Sequence, residues 1–491
     1  MSDVPELRAT PRWLPATHVI TALVLGAILF AITVGKGVRD PDYFWHVVAG
    51  RYMAQTGGVP STDPFSFTWN GQPWTPHEWL TELLIHFLVS AVGEVGALVV
   101  FALIPGVTLL ILAVMLARMG VRTIAQAPVL ALAALVIAPY ATLRPQVLSW
   151  LLLAVTLTIL ASVTAGSRRR LVWLLPLFIV WANLHGLYIV GISVVGAYAL
   201  FTLLGRTPLA PYRGWAVAAV GLAVVGAMTT PAGPLGVLYP LRYSQEWGLA
   251  HIQEWQSPNF HEPAHWPLLG LVVALILNGG RATPGWLQLV AYVGTIMALV
   301  ALRNGPVAAV LAAPTLALGL EDRIRSRWGA HRAAGARVAV PRRTIELAAG
   351  IAVVAGAMVI FLPPALGTTP GEQQRAAGYP TVAADILESR HPGVRVVGEY
   401  GWAGYLIYRL YDDGGRVFVD GRNDMYAESI LDDYTSIVSG DEGWSQLVDD
   451  YGADALLFPP NRAITKGIAE AAGWCEAHRD DDSVLLLRDC S

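Results

Sequence analysis

The sequence predicts a polytopic α-helical membrane protein that ends in an extracytoplasmic α/β domain. Three observations carry that reading. The 491 residues are 54% hydrophobic and only 14% charged, where soluble domains carry roughly 25%, and several apolar runs approach the roughly 20 residues that cross a bilayer. Charge is unevenly divided. Residues 372–491 hold 22 acidic and 10 basic side chains, a net of −12, whereas residues 1–371 hold 14 and 23, a net of +9. Arginines also recur in alternate loops between the apolar runs.

The apolar runs place about eleven spans, near 17–34, 95–117, 125–140, 146–165, 171–184, 187–205, 214–231, 266–280, 286–302, 305–320 and 345–366. Met1 to Pro15 is polar, with Arg8 and Arg12, and no small-residue cleavage site follows the first run. A retained first helix is therefore expected rather than a removed signal peptide. Glu78 to Val92 alternates polar and apolar groups at helical spacing, which predicts an interfacial amphipathic helix. The charge break predicts two domains: a transmembrane domain over 1–371 with a large first outer loop at 35–94, and a soluble domain over 372–491.

Orientation follows from arginine in the short loops. With the N-terminus in the cytoplasm, Arg118 and Arg122, Arg168-Arg169-Arg170, Arg206 and Arg213, Arg281, and the arginines from Arg323 to Arg343 all fall inside. The first loop, Arg144, His185, the loop from Tyr239 to His265, Arg303 and the tail then fall outside. The expected location is the plasma (inner) membrane, multi-pass, with the tail extracytoplasmic. Cys475 and Cys490 are the only cysteines and both lie in the tail, so one disulfide on the oxidising side is expected.

The tail alternates strand-like runs at 394–398, 416–420 and 455–458 with helical patterns near 427–438, 444–451 and 463–472. That alternation predicts a small layered α/β domain. Its net negative charge argues against nucleic acid as a partner, and no Gly-rich phosphate loop precedes its helices.

Chemistry concentrates in the first outer loop, where Arg39-Asp40-Pro41-Asp42-Tyr43-Phe44-Trp45-His46 leaves the first span and His77-Glu78-Trp79 follows. Ionisable groups at a bilayer boundary mark functional sites by default. Partial desolvation raises a carboxyl pKa and makes Asp42 or Asp40 a better proton acceptor. The same pair could instead hold a divalent cation, Mg2+ or Mn2+, through oxygen ligands, or one of them could cap a helix. No cofactor is certain. His46, His77 and His185 are candidates for hydrogen bonding to a phosphate or acceptor. Asn183-Leu184-His185-Gly186 interrupts an apolar stretch at the outer boundary. Arg144 and Arg303 lie at outer helix ends against the positive-inside trend, where an arginine snorkels to headgroups or clamps a phosphate. Glu254 and Trp255 lie in the longest later outer loop; aromatic faces suit either the interfacial belt or a sugar ring.

Asp40-Pro41-Asp42-Tyr43-Phe44-Trp45-His46, Gly50-Arg51, Gly58-Val59-Pro60, Asp63-Pro64-Phe65-Ser66 and Trp74-Thr75-Pro76-His77-Glu78-Trp79-Leu80 together resemble the GT-C superfamily of membrane glycosyltransferases, and more narrowly a bacterial group within it. Leu143-Arg144-Pro145-Gln146, Trp181-Ala182-Asn183-Leu184-His185-Gly186, Glu254-Trp255-Gln256-Ser257-Pro258, Arg303-Asn304, Gly404-Tyr405-Leu406 and Val419-Asp420-Gly421-Arg422 extend the likeness over nearly the whole chain. The resemblance implies an inverting hexosyl or pentosyl transfer, with a polyprenyl-phosphate sugar as donor and a glycan, lipid or protein as acceptor. It implies a first-loop carboxylate as base, Asp42 before Asp40, and arginines such as Arg144 or Arg303 on the donor phosphate. The superfamily often shows adjacent acidic residues in this loop, where this chain has Asp-Pro-Asp. The competing reading is a non-enzymatic lipid-linked-glycan transporter or envelope assembly scaffold. Transport predicts charges near mid-membrane, which cost about 2.5–3.5 kcal/mol each on insertion scales, and the apolar runs are almost free of them.

Overall fold

Residues 16–239, 251–278, 283–328, 370–467 and 473–488 are described by a computed structural model. Before the tail they form α1 (Ala16–Lys36), α2 (Pro41–Thr56), α3 (Trp79–Arg118), α4 (Thr123–Ile137), α5 (Gln146–Ala161), α6 (Leu174–Leu184), α7 (Tyr188–Leu203), α8 (Arg213–Ala227), α9 (Trp266–Asn278), α10 (Gly285–Val300) and α11 (Gly305–Trp328). α1 and α4 to α10 fall on the expected apolar runs within a few residues, while α3 also takes in the expected amphipathic helix and α11 runs past its expected end. The run at 345–366 lies outside the described residues. Among the described residues, four helical stretches are long and apolar enough to cross a membrane: Thr17–Lys36, Trp79–Arg118, Thr123–Tyr140 and Ala210–Ala227. Four shorter apolar helices, Gln146–Ala161, Tyr188–Leu203, Pro263–Asn278 and Gly285–Val300, accompany them.

The α3 helix is two helices joined across Gly93, whose φ of 74° breaks the ladder. Glycine takes this left-handed φ without a side-chain penalty. Beyond the break runs the apolar span. Before it, residues 79–92 bury Thr81, Glu82 and Ile85 and expose Leu84, Phe87 and Val92. A helix that hides polar groups and shows apolar ones is suited to a lipid interface.

The chain divides into two compact units. One takes in Met1–Lys36, Leu98–Pro240 and Ile252–Ala365; the other takes in Gly37–Ala97, Leu241–His251 and Leu366–Ser491. This division departs from the expected boundary at 371/372, because the first loop falls with the tail.

In the first unit, α10 packs on α11, α11 on α4, α6 on α8 and α1 on α4. Gly26 of α1 meets Gly106 of α3 so closely that a Cβ on Gly26 would stand 3.0 Å from the Gly106 Cα. Small residues allow such backbone approach, which drives helix association in lipid. Polar pairs add register: His18 bonds Gln126 in a buried contact, and Thr17 meets Thr123 at 2.9 Å. At the expected cytoplasmic end, buried Glu321 accepts from Arg122 Nε at 2.7 Å and Arg325 Nε at 2.6 Å.

The second unit centres on a five-stranded sheet of β1 (Arg395–Gly398), β2 (Arg416–Val417), β3 (Ala455–Phe458), β4 (Cys475–Arg479) and β5 (Val484–Leu487), in the order β2-β1-β3-β5-β4. β2, β1 and β3 are parallel, and β5 joins antiparallel to β3 and β4. Residues 394–398 and 455–458 are strands as expected, whereas 416–420 contributes only a two-residue strand before turning at Asp420. The β4–β5 hairpin and the helices Thr381–Arg390 and Ala403–Leu410 are additional to the expected elements. Cys475 is disulfide-bonded; Cys490, its expected partner, lies outside the described residues.

The first loop completes this sheet. Phe67 N–H donates to Val417 O at 3.0 Å, Val417 N–H donates to Phe65 O, and Thr68 Oγ1 donates to Phe418 O across 350 residues. The loop thus covers the β2 edge, which would otherwise offer unpaired backbone groups. Phe44 of α2 packs edge-on against Tyr379 and Tyr405 of the tail, with ring centroids 5.0 and 5.2 Å away.

Candidate functional site

Two clusters of candidate side chains arise, one in each unit. In the second unit, Asp40 precedes Pro41 at the start of α2. Its side chain accepts a hydrogen bond from Asp42 N–H at 3.1 Å, with φ −79° and ψ 122°. Proline at the first helical position and an aspartate before it are the ordinary start of a helix. Asp40 is therefore engaged as the cap. Asp42 is half-buried in the first turn, and its Oδ1 accepts from Trp45 Nε1 at 3.2 Å. The tail backs it directly: a Cβ on Gly421 would lie 2.4 Å from Asp42 Oδ1. Any larger residue there would push the Asp42 carboxylate aside.

Asp42, His46 and Gly50 follow one another at four-residue spacing on one face of α2. Glu78, Glu82 and His86 repeat the same spacing opposite. The two helices cross at Gly50, where a Cβ would stand 2.1 Å from the Glu82 carbonyl oxygen. Gly50→Ala is accordingly expected to force the helices apart, at a cost of about 1–3 kcal/mol for overpacking. Thermal unfolding of the purified protein would read that loss, and an unchanged midpoint would contradict the crossing.

The crossing brings His46 between two carboxylates. Its Nδ1 lies 3.4 Å from Glu82 Oε1 and its Nε2 lies 3.7 Å from Glu78 Oε2, with His77 Nε2 3.6 Å from Glu78 Oε1. Glu82 lies before the Gly93 break, outside the span. Burial pushes its carboxyl well up, the neighbouring Glu78 adds to this, and Arg422 acts in the opposite direction. Ligand atoms of His46, Glu78 and Glu82 lie within 4.8 Å of one another, so these residues could hold a metal ion.

Arg422 is buried beside them. Its Nε and Nη2 bond the two oxygens of Asp420 at 2.8 and 2.6 Å, and Nη1 lies 2.7 Å from Asp63 Oδ1. The guanidinium sits over Trp74 and Phe65, 4.5 and 4.8 Å from the ring centroids. Asp63 is held by backbone N–H groups of Phe65 and Ser66, each at 3.0 Å. One arginine thus joins a first-loop aspartate to a tail aspartate.

In the first unit, Arg144 Nη1 donates to Glu254 Oε2 at 2.9 Å, and Arg303 Nη1 lies 3.7 Å from Glu254 Oε1. The Arg303 guanidinium stacks 4.4 Å from the centroid of Trp255. Burial alone would raise the Glu254 carboxyl, but Arg144 and Arg303 outweigh it and hold the group below its ordinary value. Two fixed cations on one carboxylate leave a net positive charge, with donors suited to an anion.

His185 and Asn183 serve the join between α6 and α7. His185 Nδ1 lies 3.0 Å from Ser149 Oγ and accepts from Leu187 N–H at 3.2 Å, while Trp181 Nε1 donates to Ser149 Oγ at 2.8 Å. Asn183 Nδ2 donates to Ile179 O at 2.7 Å and to Thr229 O at 3.2 Å. These contacts fix a helix break.

No model of a known protein family matches the chain, and no curated protein does. Solved structures are similar to it. The archaeal oligosaccharyltransferase AglB from Archaeoglobus fulgidus, in complex with an inhibitory peptide and a dolichol-phosphate, aligns over 90% of this chain and 69% of its own, with TM-score 0.54 and 13% identity. The apo form of the oligosaccharyltransferase from the same organism aligns over 89% and 69%, with TM-score 0.55 and 12% identity. The form tethered through a disulfide to an acceptor peptide with the NVT sequon aligns over 89% and 68%, with TM-score 0.52 and 13% identity.

The chain shares the fold of these oligosaccharyltransferases. On that fold, Arg144, Arg303, Glu254 and Trp255 come together in one unit, and Asp42, His46, His77 and Glu78 come together in the other. Glu82 carried no expected role, and Asp63, Asp420 and Arg422 stood in the resembling motifs without their link being foreseen. The signal for Glu82 was present: it stands four residues after Glu78 on a helix whose other face is apolar. The Arg422 link carries no local signal, since its partner Asp63 lies far away in the chain.

Proposed function

We propose that this chain is an integral membrane glycosyltransferase of eleven spans. It moves a sugar from a polyprenyl-phosphate donor to a glycan, lipid or protein acceptor at the outer face of the plasma membrane. The convergence of Arg144 and Arg303 on Glu254, in a chain that shares the fold of these oligosaccharyltransferases, carries this reading. A phosphate diester presents the charge and acceptor oxygens that a pair of guanidiniums binds. Glu254 holds the pair in place without neutralising it.

Asp42 takes the role of general base. It removes the acceptor proton as the acceptor oxygen attacks the anomeric carbon, and the bond from that carbon to the lipid phosphate breaks with inversion. The departing phosphate carries the negative charge, which Arg144 and Arg303 stabilise. Asp40 orders the helix that carries the base. The solved neighbours include a dolichol-phosphate complex and an acceptor-peptide complex, and they support a lipid-linked donor here.

Purified protein assayed with a panel of polyprenyl-phosphate sugars tests the reading. Arg144→Ala and Arg303→Ala should each raise the donor KM by about 10–100-fold, the value of one charge-assisted hydrogen bond of about 1.5–3 kcal/mol. If the wild type transfers no sugar from any donor, or if both arginine variants match it, the clamp assignment fails. Adding a chelator to the same assay reads dependence on Mg2+ or Mn2+.

A further inference from the structure

We propose that His46, Glu78 and Glu82 form a binding site for one divalent metal ion of the zinc or manganese(II) class, where α2 crosses the interfacial helix. This stands apart from the transferase reading and concerns a different set of residues from Asp40 and Asp42. The donor atoms already lie within 4.8 Å of one another. Ligands about 2.1 Å from a shared ion stand ~3.4 Å apart in a tetrahedral site, so closure of about 1.4 Å completes it.

His46 lies 3.4 Å from Glu82 and 3.7 Å from Glu78. The carboxylates face opposite ring nitrogens, Glu82 the Nδ1 and Glu78 the Nε2, so only one of these distances runs between two ligands of a shared ion. Glu82 supplies a second, independent observation. It is 1% exposed, and its Oε2 has no hydrogen-bond partner among the described residues. A buried carboxylate oxygen without a donor carries its full desolvation cost, which an ion would remove.

The donor set selects the ion. One imidazole and two carboxylates suit Zn2+ or Mn2+ rather than the all-oxygen cages of Ca2+ and Mg2+. The scaffold is stiff because the helices touch at Gly50. An ion here would clamp α2 one helical turn from Asp42, making His46, Glu78 and Glu82 positioning residues for whatever Asp42 does.

Tag-free full-length protein, stripped with a chelator, is dialysed against Zn2+ alone and Mn2+ alone, and bound metal is measured by mass spectrometry. Cobalt(II) substitution supplies a ligand-field spectrum. About one ion per chain is expected in the wild type and in Asp42→Asn. Glu82→Gln and His46→Gln should each lower affinity by about 10-fold or more. Glu78→Gln, at the cluster's outer edge, guards against a variant that fails to fold. Absence of metal in the wild type, or undiminished binding in all three variants, overturns the proposal. Loss of the ion in Asp42→Asn instead would move the site to the Asp-Pro-Asp segment and also overturn it. Intact metal binding without sugar transfer would sink only the transferase reading.

Discussion

Asp42→Asn is expected to lower sugar transfer by about 10²–10⁴-fold, the usual contribution of a positioned general base, without unfolding the protein. Asparagine keeps the size of the side chain and an oxygen for Trp45 Nε1, which now bonds Asp42 Oδ1 at 3.2 Å. It loses only the capacity to accept a proton. Asp40→Asn is expected to behave differently. Asparagine caps a helix as well as aspartate does, so transfer should stay near wild type. Asp40→Ala should cost about 1 kcal/mol of stability through the lost cap. The comparison is made as turnover at saturating donor alongside the unfolding midpoint of each variant. Equal loss in Asp40→Asn and Asp42→Asn would show that the two carboxylates act together, and unchanged turnover in both would remove the segment from the chemistry.

The distinction between those aspartates was partly legible in the sequence. Aspartate followed by proline is a helix start, and the rule that proline favours the first helical position assigns Asp40 to the cap. Helix positions were legible for a related reason. Lipid satisfies no backbone group, so each crossing element is an apolar run long enough to form its own hydrogen bonds. That constraint leaves a local trace in composition, and α1 and α4 to α10 fall where it put them. The pairing of Arg144 and Arg303 was foreshadowed by their place at helix ends expected to lie outside, against the positive-inside trend, although Glu254 as the group that gathers them was not.

What stayed hidden is the fusion of the first loop with the tail. Phe65 to Thr68 pair with Val417 and Phe418, and Phe44 packs on Tyr379 and Tyr405. Such contacts join segments separated by more than 300 residues and leave no periodic signal in either. The charge count drew a boundary at the start of the acidic tail, because composition reports what faces water. It does not report which surfaces pair. The glycines show the same limit: Gly404 would place a Cβ 2.3 Å from Pro41 O, and Gly421 one 2.4 Å from Asp42 Oδ1. In one dimension each is simply a glycine.

Arg422→Met is expected to destabilise the second unit by about 3–5 kcal/mol, the cost of stripping the partner from a buried charge pair. The side chain is 1% exposed, and its loss would strand Asp63 and Asp420, both essentially without solvent contact. Tyr426 OH and backbone donors would still bond these carboxylates, so the penalty falls short of two naked ions. Asp63→Asn combined with Arg422→Met removes one of the stranded charges and should recover part of the loss. A coupling of that sign in the double-mutant cycle distinguishes a charge link from simple packing against Trp74 and Phe65. Limited proteolysis of the tail and the unfolding midpoint would both read the effect; an Arg422→Met protein within about 1 kcal/mol of wild type would refute it. The position also ties stability to chemistry. Gly421, the neighbour of Arg422, forms the wall against Asp42. Loosening Arg422 therefore releases the carboxylate assigned as base, and transfer should fall in Arg422→Met even below the temperature at which the unit unfolds.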